Sequence, residues 1–439
     1  MLQFWNRNKT QTMKKLTLSI AVVSLLMGAC QKDATLERLG QKALVGTTTT
    51  ASSQSQIEGE YIVQLESQFL APHISSETNY TNKLVAAKAA IEGLLLPITG
   101  GVVEIDRVFV NVLNGFSVRL TPAQLTLLKA LPVVKSVEEN VVLQLIGNET
   151  KKASNDVQSS GSQQAQYGVL RTGRADGTGK RAFIIDSGID LDHDDLNVNT
   201  DLGKDFVGGG GGLFGGGGGF FGGGGLFGPS EPQPEGDDDN GHGTHCAGIV
   251  AALDNNIGVV GVAPNAEVVA IKCFNFLGNG NGDDVIQGID YVASVGAAGD
   301  AVNMSFGFGL GGAASVDAAV QNLGQQGFLI AIAAGNDGVD ANNTSPARAN
   351  GPNLYTVSAM DENDIYASFS NHGNPPVDFC APGVDIYSTY TNNGYSTLSG
   401  TSMAAPHVAG LLLITNGNLN TDGYVVNDPD GNADPIAHL

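Results

Sequence analysis

Ala182-Phe183-Ile184-Ile185-Asp186-Ser187-Gly188 is an apolar run closed by a carboxylate, a serine and a glycine. A short run of this kind, bounded by turn-forming residues, reads as a strand buried on both faces. Outward from it, Ala266 to Phe274, Ala301 to Ser305, Phe328 to Ala333 and Asn353 to Val357 repeat the pattern, with helical segments between. Strands alternating with helices predict an α/β domain, a parallel sheet flanked by helices on both faces. Functional residues of such a sheet gather at the carboxyl ends of its strands, and Asp186 falls there.

Two further segments carry chemistry. Asn240-Gly241-His242-Gly243-Thr244-His245 opens a helix with a histidine, and Gly400-Thr401-Ser402-Met403-Ala404-Ala405-Pro406-His407 presents a serine at the start of an apolar helix. Acyl transfer by serine needs a base for the hydroxyl proton and a carboxylate that fixes the tautomer of that base. An aspartate at a strand end, or a serine capping a helix, is ordinary by itself. Here all three occur, in the order Asp, His, Ser, within D-S-G, H-G-T-H-C-A-G and G-T-S-M-A-A-P-H. With these motifs the chain resembles the subtilisin-like serine proteases.

The resemblance implies that Ser402 attacks the scissile carbonyl, His242 carries the proton and Asp186 orients the imidazole. Ala333-Ala334-Gly335-Asn336 matches the oxyanion segment, with Asn336 donating its side-chain amide beside the Ser402 N–H. Ser305, Phe306 and Gly307 resemble one edge of a cleft for extended peptides, and Gly278, Asn279 and Gly280 the other. Main-chain pairing between such edges implies broad specificity. An apolar pocket of Phe306, Ala333, Ala334 and Gly335 implies large apolar or aromatic residues before the cut bond. Asp337 either tilts preference towards cationic substrates or faces water. The run from His242 to Pro264 resembles the family's calcium loop. By resemblance, a structural calcium would take the side chains of Gln163, Asp195 and Asn255 and the carbonyls of Leu253, Ile257 and Val259, an all-oxygen set suited to that ion. His242 and His245 lack a third ligand of matching context and are not read as a zinc pair. His245 and His407 are expected to be satisfied structural histidines. Cys246 is expected beneath the catalytic histidine, outside the chemistry.

The spacing between Asp186 and His242 departs from the family's compact members. The excess is the run 208–228, nearly all glycine with interspersed Leu and Phe, which reads as a surface loop with Phe214, Phe220, Phe221 and Phe227 as adhesive points in a second reading. Asp237, Asp238 and Asp239 are expected to be solvated, a second cation being the alternative. Cys273 and Cys380 lie in apolar settings, as a disulfide or as two buried thiols. After the serine helix only the last elements of the catalytic domain are expected.

Residues 59–146 read as a separate module. Glu60 to Leu65 predicts a strand, Glu77 to Leu95 a helix, and Val102 to Leu120 two strands about Leu113-Asn114-Gly115. Thr121 to Leu131 predicts a helix with Thr121 as N-cap and Pro122 first, and Lys135 to Leu145 a final strand. This β-α-β-β-α-β order predicts a small α+β, ferredoxin-like unit. The module resembles the propeptide inhibitor of the same family, whose last strand enters the cleft. Residues 147–162 read as a polar linker with autocleavage expected between Gly147 and Gln163, and 163–439 as the peptidase domain.

The whole chain has 439 residues, 42% hydrophobic and 15% charged, enough for two sizeable cores. Lys+Arg 22 against Asp+Glu 44 leaves a net charge of −22, which disfavours nucleic acid and anionic lipid as partners. Four cysteines are too few for a disulfide-built scaffold. Met13-Lys14-Lys15 and the apolar run to Ala29 have the form of a secretory signal, with Met13 as the alternative start. Met27-Gly28-Ala29-Cys30 resembles a lipobox, so Cys30 is expected to be lipidated after cleavage, with a plain secretory signal as the alternative. Residues 30–58 read as a polar tether. The expected product is an autoprocessed, monomeric serine endopeptidase, exported and lipid-anchored or secreted. It would act on proteins or peptides and be inhibited by its own propeptide. An inactive surface-displayed binding or adhesive protein is the competing reading.

Overall fold

A computed structural model describes residues 56–101, 103–146, 162–207, 235–309 and 311–439. The signal segment, Cys30, most of the tether, residues 147–161 and the glycine run 208–228 lie outside them.

The N-terminal module runs β1 (Gln56–Leu65), α1 (Ser67–Ile74), α2 (Tyr80–Thr99), β2 (Ile105–Phe109), β3 (Gly115–Arg119), α3 (Pro122–Lys129) and β4 (Val134–Leu145). Thr121 caps α3 as expected. Its Oγ1 accepts from Gln124 N at 3.4 Å while Gln124 Oε1 accepts from Thr121 N at 2.9 Å, a reciprocal capping box. The second helix starts and ends later than its apolar pattern suggests, because Asn79 accepts from Asn82 N at its start and Gly100, at φ +68°, ends it. Helix α1 is an addition to the expected order. It spans only eight residues with Pro72 inside, too short to show a periodic pattern. Antiparallel β2, β3, β1 and β4 form the sheet, with Tyr61 opposite Val118 and Val63 opposite Val137.

The second part runs α4 (Tyr167–Thr172), β5 (Arg181–Asp186), β6 (Lys204–Asp205), α5 (His242–Ala251), β7 (Glu267–Lys272), β8 (Asn279–Asn281), α6 (Gly282–Val295), β9 (Ala301–Met304) and β10 (Phe306–Gly307). There follow α7 (Ala314–Gln325), β11 (Leu329–Ala333), β12 (Leu354–Met360), β13 (Val377–Pro382), β14 (Ile386–Tyr390), β15 (Gly394–Leu398), α8 (Thr401–Thr415), β16 (Asn420–Tyr424) and β17 (Pro435–His438). The sheet order is β16-β17-β13-β12-β11-β9-β5-β7-β6, parallel except for β16. Helices α5 and α8 cover one face and α6 and α7 the other, which is why the central strands are apolar on both sides. Helix α8 is buried from Thr401 to Leu413, consistent with its lack of a polar face. The carboxyl ends of β5, β9 and β11 therefore open onto one edge, beside the first turns of α5 and α8.

The two parts join through β4. Its last residues pair with β8 on one side, Leu143 opposite Gly280, and with β10 on the other, Leu145 opposite Phe306. The N-terminal module thus lays one strand between β8 and β10.

Candidate active site

Strand β5 delivers Asp186 to the edge fully buried, and α5 begins with His242, which is 3% exposed. His242 Nδ1 lies 2.8 and 3.0 Å from the two carboxylate oxygens of Asp186. Ser187 N donates to the same carboxylate at 2.8 Å. This approach requires Gly243, since an added methyl there would overlap Gly188 O and lie 3.0 Å from Asp186 Cβ. Burial pulls the His242 pKa down, but the adjacent Asp186 carboxylate outweighs it and holds the imidazole well above its ordinary value.

Ser402 sits in the first turn of α8, fully buried. Its hydroxyl donates to the carbonyl of Ile146 and to Ser305 O at 3.1 Å. The expected Ser402–His242 bond is not formed: His242 Nε2 is buried with no hydrogen-bond partner. The hydroxyl is instead drawn to the carbonyl that β4 brings into the cleft. Cys246 joins the two residues from beneath, with Sγ 4.0 Å from His242 Nδ1 and 3.4 Å from Ser402 O. Asp186, His242 and Cys246 are the one group of three potential metal ligands among the described residues. Cys246 is thus the third neighbour, beneath the histidine where the resemblance implies it. Burial raises the Cys246 pKa, which disfavours a thiolate as ligand or nucleophile.

Asn336 faces the same carbonyl, its Nδ2 donating to Ile146 O at 3.3 Å. Its Oδ1 accepts from Thr401 N and Thr401 Oγ1, each at 2.9 Å, so the amide cannot turn without losing both bonds. Ile146 N donates to Ser305 O at 3.4 Å and Leu145 N to Gly278 O at 2.9 Å, so Ser305 and Gly278 bind the end of β4 from its two sides. Asn279, Gly280 and Gly307 are paired with β4 as well.

The pocket lining differs from expectation. Phe306 is fully buried against Phe274, with ring centroids 5.0 Å apart, and Ala333 lies within the sheet core. The cavity beside Ile146, about 220 Å³, is bounded by Gly307, Phe308, Ala334, Gly335, Thr344 and Ala347 among others. Phe308, just past the end of β10, borders the cavity, whereas Phe306 within the strand is taken up by the core.

His245 and His407 are only half satisfied. His245 Nε2 meets Ile386 O and Ser396 O at 3.0 and 3.1 Å, and His407 Nδ1 meets Met403 O at 2.7 Å, while the other ring nitrogen of each is unpartnered. Burial lowers their pKa values to about 3 and about 4, keeping both neutral. Asp238 was expected in solvent and is buried instead. Its carboxylate accepts from Asn240 N, Gly241 N, Thr244 N and Thr244 Oγ1, holding the first turn of α5 that carries His242. The signal was present as an acidic residue ahead of a helix start. Asp239 pairs with buried Lys272, which also donates to Ser187 O at 2.6 Å. Cys246, Cys273 and Cys380 are free and buried, so the disulfide alternative for the last two does not hold.

The residues expected to bind calcium converge. Gln163 Nε2 reaches Leu253 O at 2.6 Å and Val259 O at 3.1 Å. Asn255 joins Asp195 and Ile257 through its amide, at 2.7 Å each, and Val259 N donates to Asp195 at 3.0 Å. Asp195 is fully buried, also accepts from the Tyr395 hydroxyl at 3.1 Å, and pairs with no Lys or Arg among the described residues, and burial raises its pKa. A sequestered carboxylate among amides and carbonyls suits a hard, oxygen-seeking cation.

A sequence profile of the Subtilase family matches residues 183–420, and one of Peptidase inhibitor I9 matches residues 60–146. The chain is 37% identical over 293 residues to a thermostable alkaline protease of Halalkalibacterium halodurans, covering 66% of this chain and 69% of that one. It is 40% identical over 235 residues to subtilisin DY of Bacillus licheniformis, covering 53% and 75%. A crystal structure of a cold adapted subtilisin-like serine proteinase superposes with a TM-score of 0.51 at 32% identity, covering 62% of this chain and 98% of that one. The chain belongs to the subtilase family of serine endopeptidases and carries that family's inhibitor-type propeptide ahead of its catalytic domain.

Proposed function

We propose that this zymogen matures by cutting its own Ile146–Gly147 bond, and that the same site then hydrolyses exported or extracellular proteins after large apolar residues. One observation carries the reading: the Ile146 carbonyl oxygen is met by Ser402 Oγ and Asn336 Nδ2 while β4 lies paired between both cleft rims. That is one bond upstream of the stretch in which the sequence places autocleavage.

In this mechanism a turn of the Ser402 hydroxyl towards His242 Nε2 gives its proton a base. Oγ then attacks the Ile146 carbonyl carbon. The imidazolium is stabilised by Asp186, and the negative charge growing on Ile146 O is met by the Asn336 amide and the Ser402 N–H. His242 next protonates the leaving Gly147 nitrogen, and water releases the acyl group by the reverse path. Calcium would be held by Gln163, Asp195, Leu253, Asn255, Ile257 and Val259 and would serve stability, not chemistry. Export follows from the Met13 to Ala29 segment, and lipid anchoring from Cys30. No helix among the described residues is long and apolar enough to cross a membrane.

The test is expression of the full chain beside its Ser402→Ala variant. Wild type should yield a mature N-terminus at Gly147 and casein hydrolysis blocked by a serine-directed phosphonyl fluoride. The variant should stay uncut and inactive. A variant that still matures when pure would overturn the mechanism.

A further inference from the structure

Helix α6 of the catalytic domain is the main seat of the propeptide, and its buried face is acidic. Asp283, Asp284 and Asp290 are 5%, 4% and 0% exposed. Asp283 accepts from Ser117 Oγ at 2.6 Å and Asn140 Nδ2 at 2.7 Å, and Asp284 pairs with Arg107 at 2.6 Å. Asp290 accepts three successive propeptide N–H groups, from Val110, Asn111 and Val112 at 3.1, 2.6 and 2.9 Å. All three bonds go to Oδ1, and Oδ2 is buried with no hydrogen-bond partner.

Charge does not balance across this face. The propeptide adds two more acids, Glu60 on β1 and Asp106 on β2, against Arg107 on β2 and Arg119 on β3, whose side chain is 66% exposed. The other charged or titratable neighbours do not correct the excess. Helix α2 brings the Tyr80 hydroxyl, which accepts from Gln287 Nε2 and lies beside Asp290, favouring its charged form but bringing no charge, and α6 brings Tyr291. Strand β4 brings Lys135, Glu138 and Glu139, with Glu138 accepting from Ser315 N at the start of α7. Helix α7 brings Asp317, paired with Arg348, and the neutral Asn322 and Gln326, which donate to Val112 O and Asn111 O. Strand β5 brings Arg181, paired with Asp300, and Asp186, engaged by His242; β8 brings no charge.

We propose that docking of the propeptide on α6 is proton-linked, tight in mild acid and loosened as pH rises towards neutrality, with Asp290 as the principal latch. When Asp290 is ionised, part of its charge sits on an oxygen with no donor in a site closed to water. A proton on that carboxyl removes the uncompensated charge, and Oδ1 still accepts the three N–H groups.

Burial pushes Asp290 up to about 6, overriding those N–H groups. Burial, and then the charges of Asp283 and Glu60, push Asp106 up to about 6 as well. Undocked, Asp290 returns to water and to the ordinary value near ~4, and Asp106 loses the charge of Asp283 beside it. Raised values in the docked state mean that docking takes up protons. The added affinity is therefore complete below ~4 and is lost as pH climbs through about 6.

The test rests on the protease reading only through its use of full-length Ser402→Ala chain, whose intact mass is checked first. A chain that cuts itself fails that reading, and an uncut chain without the pH change fails this one, so the two failures are distinguishable. Hydrogen exchange is followed at the Val110, Asn111 and Val112 amides, corrected for the intrinsic pH dependence of exchange, with the Phe183 to Ile185 amides of β5 as internal control. Protection should fall by ~10-fold or more between pH ~4.5 and ~7.5, bounded near ~100-fold for one carboxylate displaced by two pH units. Asp290→Asn, added to the same chain, should flatten that change. Protection independent of pH, or an Asp290→Asn chain that follows the parent, overturns the proposal. If Asp290→Asn does not fold, Asp290→Ser makes the same comparison, and an undiminished pH change there also overturns it.

Discussion

Ile146 and Asn336 face each other across the cleft: the asparagine amide lies 3.3 Å from the isoleucine carbonyl oxygen while Thr401 fixes the other side of that amide. The geometry is that of a donor aimed at an acyl oxygen, held before any reaction begins. Replacing Asn336 by Ala should lower kcat by ~10² to 10³, with KM little changed, because the bond strengthens as charge builds on the oxygen. Steady-state kinetics on a peptide amide measures the split. An equal loss carried by KM alone would make Asn336 a substrate-binding residue only.

The pH profile follows from His242. Burial alone would depress its pKa, and the Asp186 carboxylate reverses that and raises it. A base with a raised pKa is unprotonated only above that value, so kcat/KM should climb on the alkaline side of the ordinary histidine range and fall as pH drops through the raised value. Asp186→Asn removes the opposing charge and leaves burial. The acid limb should then move to lower pH while the plateau falls by ~10⁴. An unmoved acid limb would mean that another group controls it.

Much of this was legible in the sequence, for reasons that also mark its limits. Asp186, His242, Ser402 and Asn336 each sit beside residues whose smallness the geometry demands, such as Gly243 against Gly188 O and Gly335 at φ +111°. Local motifs therefore carried them. The alternation of strands such as Arg181–Asp186 with helices gave the sheet, since burial on both faces leaves no polar positions. Asp238 was missed because its role depends on which carboxylate turns under a helix, and Phe308 because its place at the cavity is set by the path of the chain past β10 and by no local motif. That Ile146 is the residue facing Ser402 was not legible, because only the docking of β4 between β8 and β10 sets its register. The unmade Ser402–His242 bond depends on a hydroxyl rotor, which no sequence encodes.

Calcium removal tests the convergence around Asp195. Full-length Ser402→Ala chain excludes autolysis from the measurement. Calcium at a hundredfold excess over Kd would contribute ~2.7 kcal/mol, a Tm change of several degrees. EDTA should reverse it, and Asp195→Asn should remove most of the calcium response. A Tm unmoved by EDTA would leave the cluster as a purely hydrogen-bonded loop.

Gly307 borders the cavity beside Ile146, and on the proposed reading it sets the width of the pocket for the residue before the cut. A Cβ placed on it would lie 2.7 Å from Ile146 Cδ1 and 3.2 Å from Cγ1, closer than side-chain contacts tolerate. Its backbone is not among those with positive φ, so Gly307→Ala should fold without conformational strain. A small residue such as alanine ends short of the new methyl, whereas phenylalanine must enter the space between Gly307 and the wall formed by Ala334, Thr344 and Ala347. The kcat/KM ratio of Phe over Ala substrates should therefore fall by ~10-fold or more, the scale of ~1 to 3 kcal/mol for a methylene-sized misfit in an apolar pocket. The effect should appear on β4 too: self-cleavage at Ile146 should slow in the same variant, since its side chain occupies that space in the zymogen. If the ratio stays put while maturation slows, the methyl acts on cleft pairing through β10 and not on the pocket.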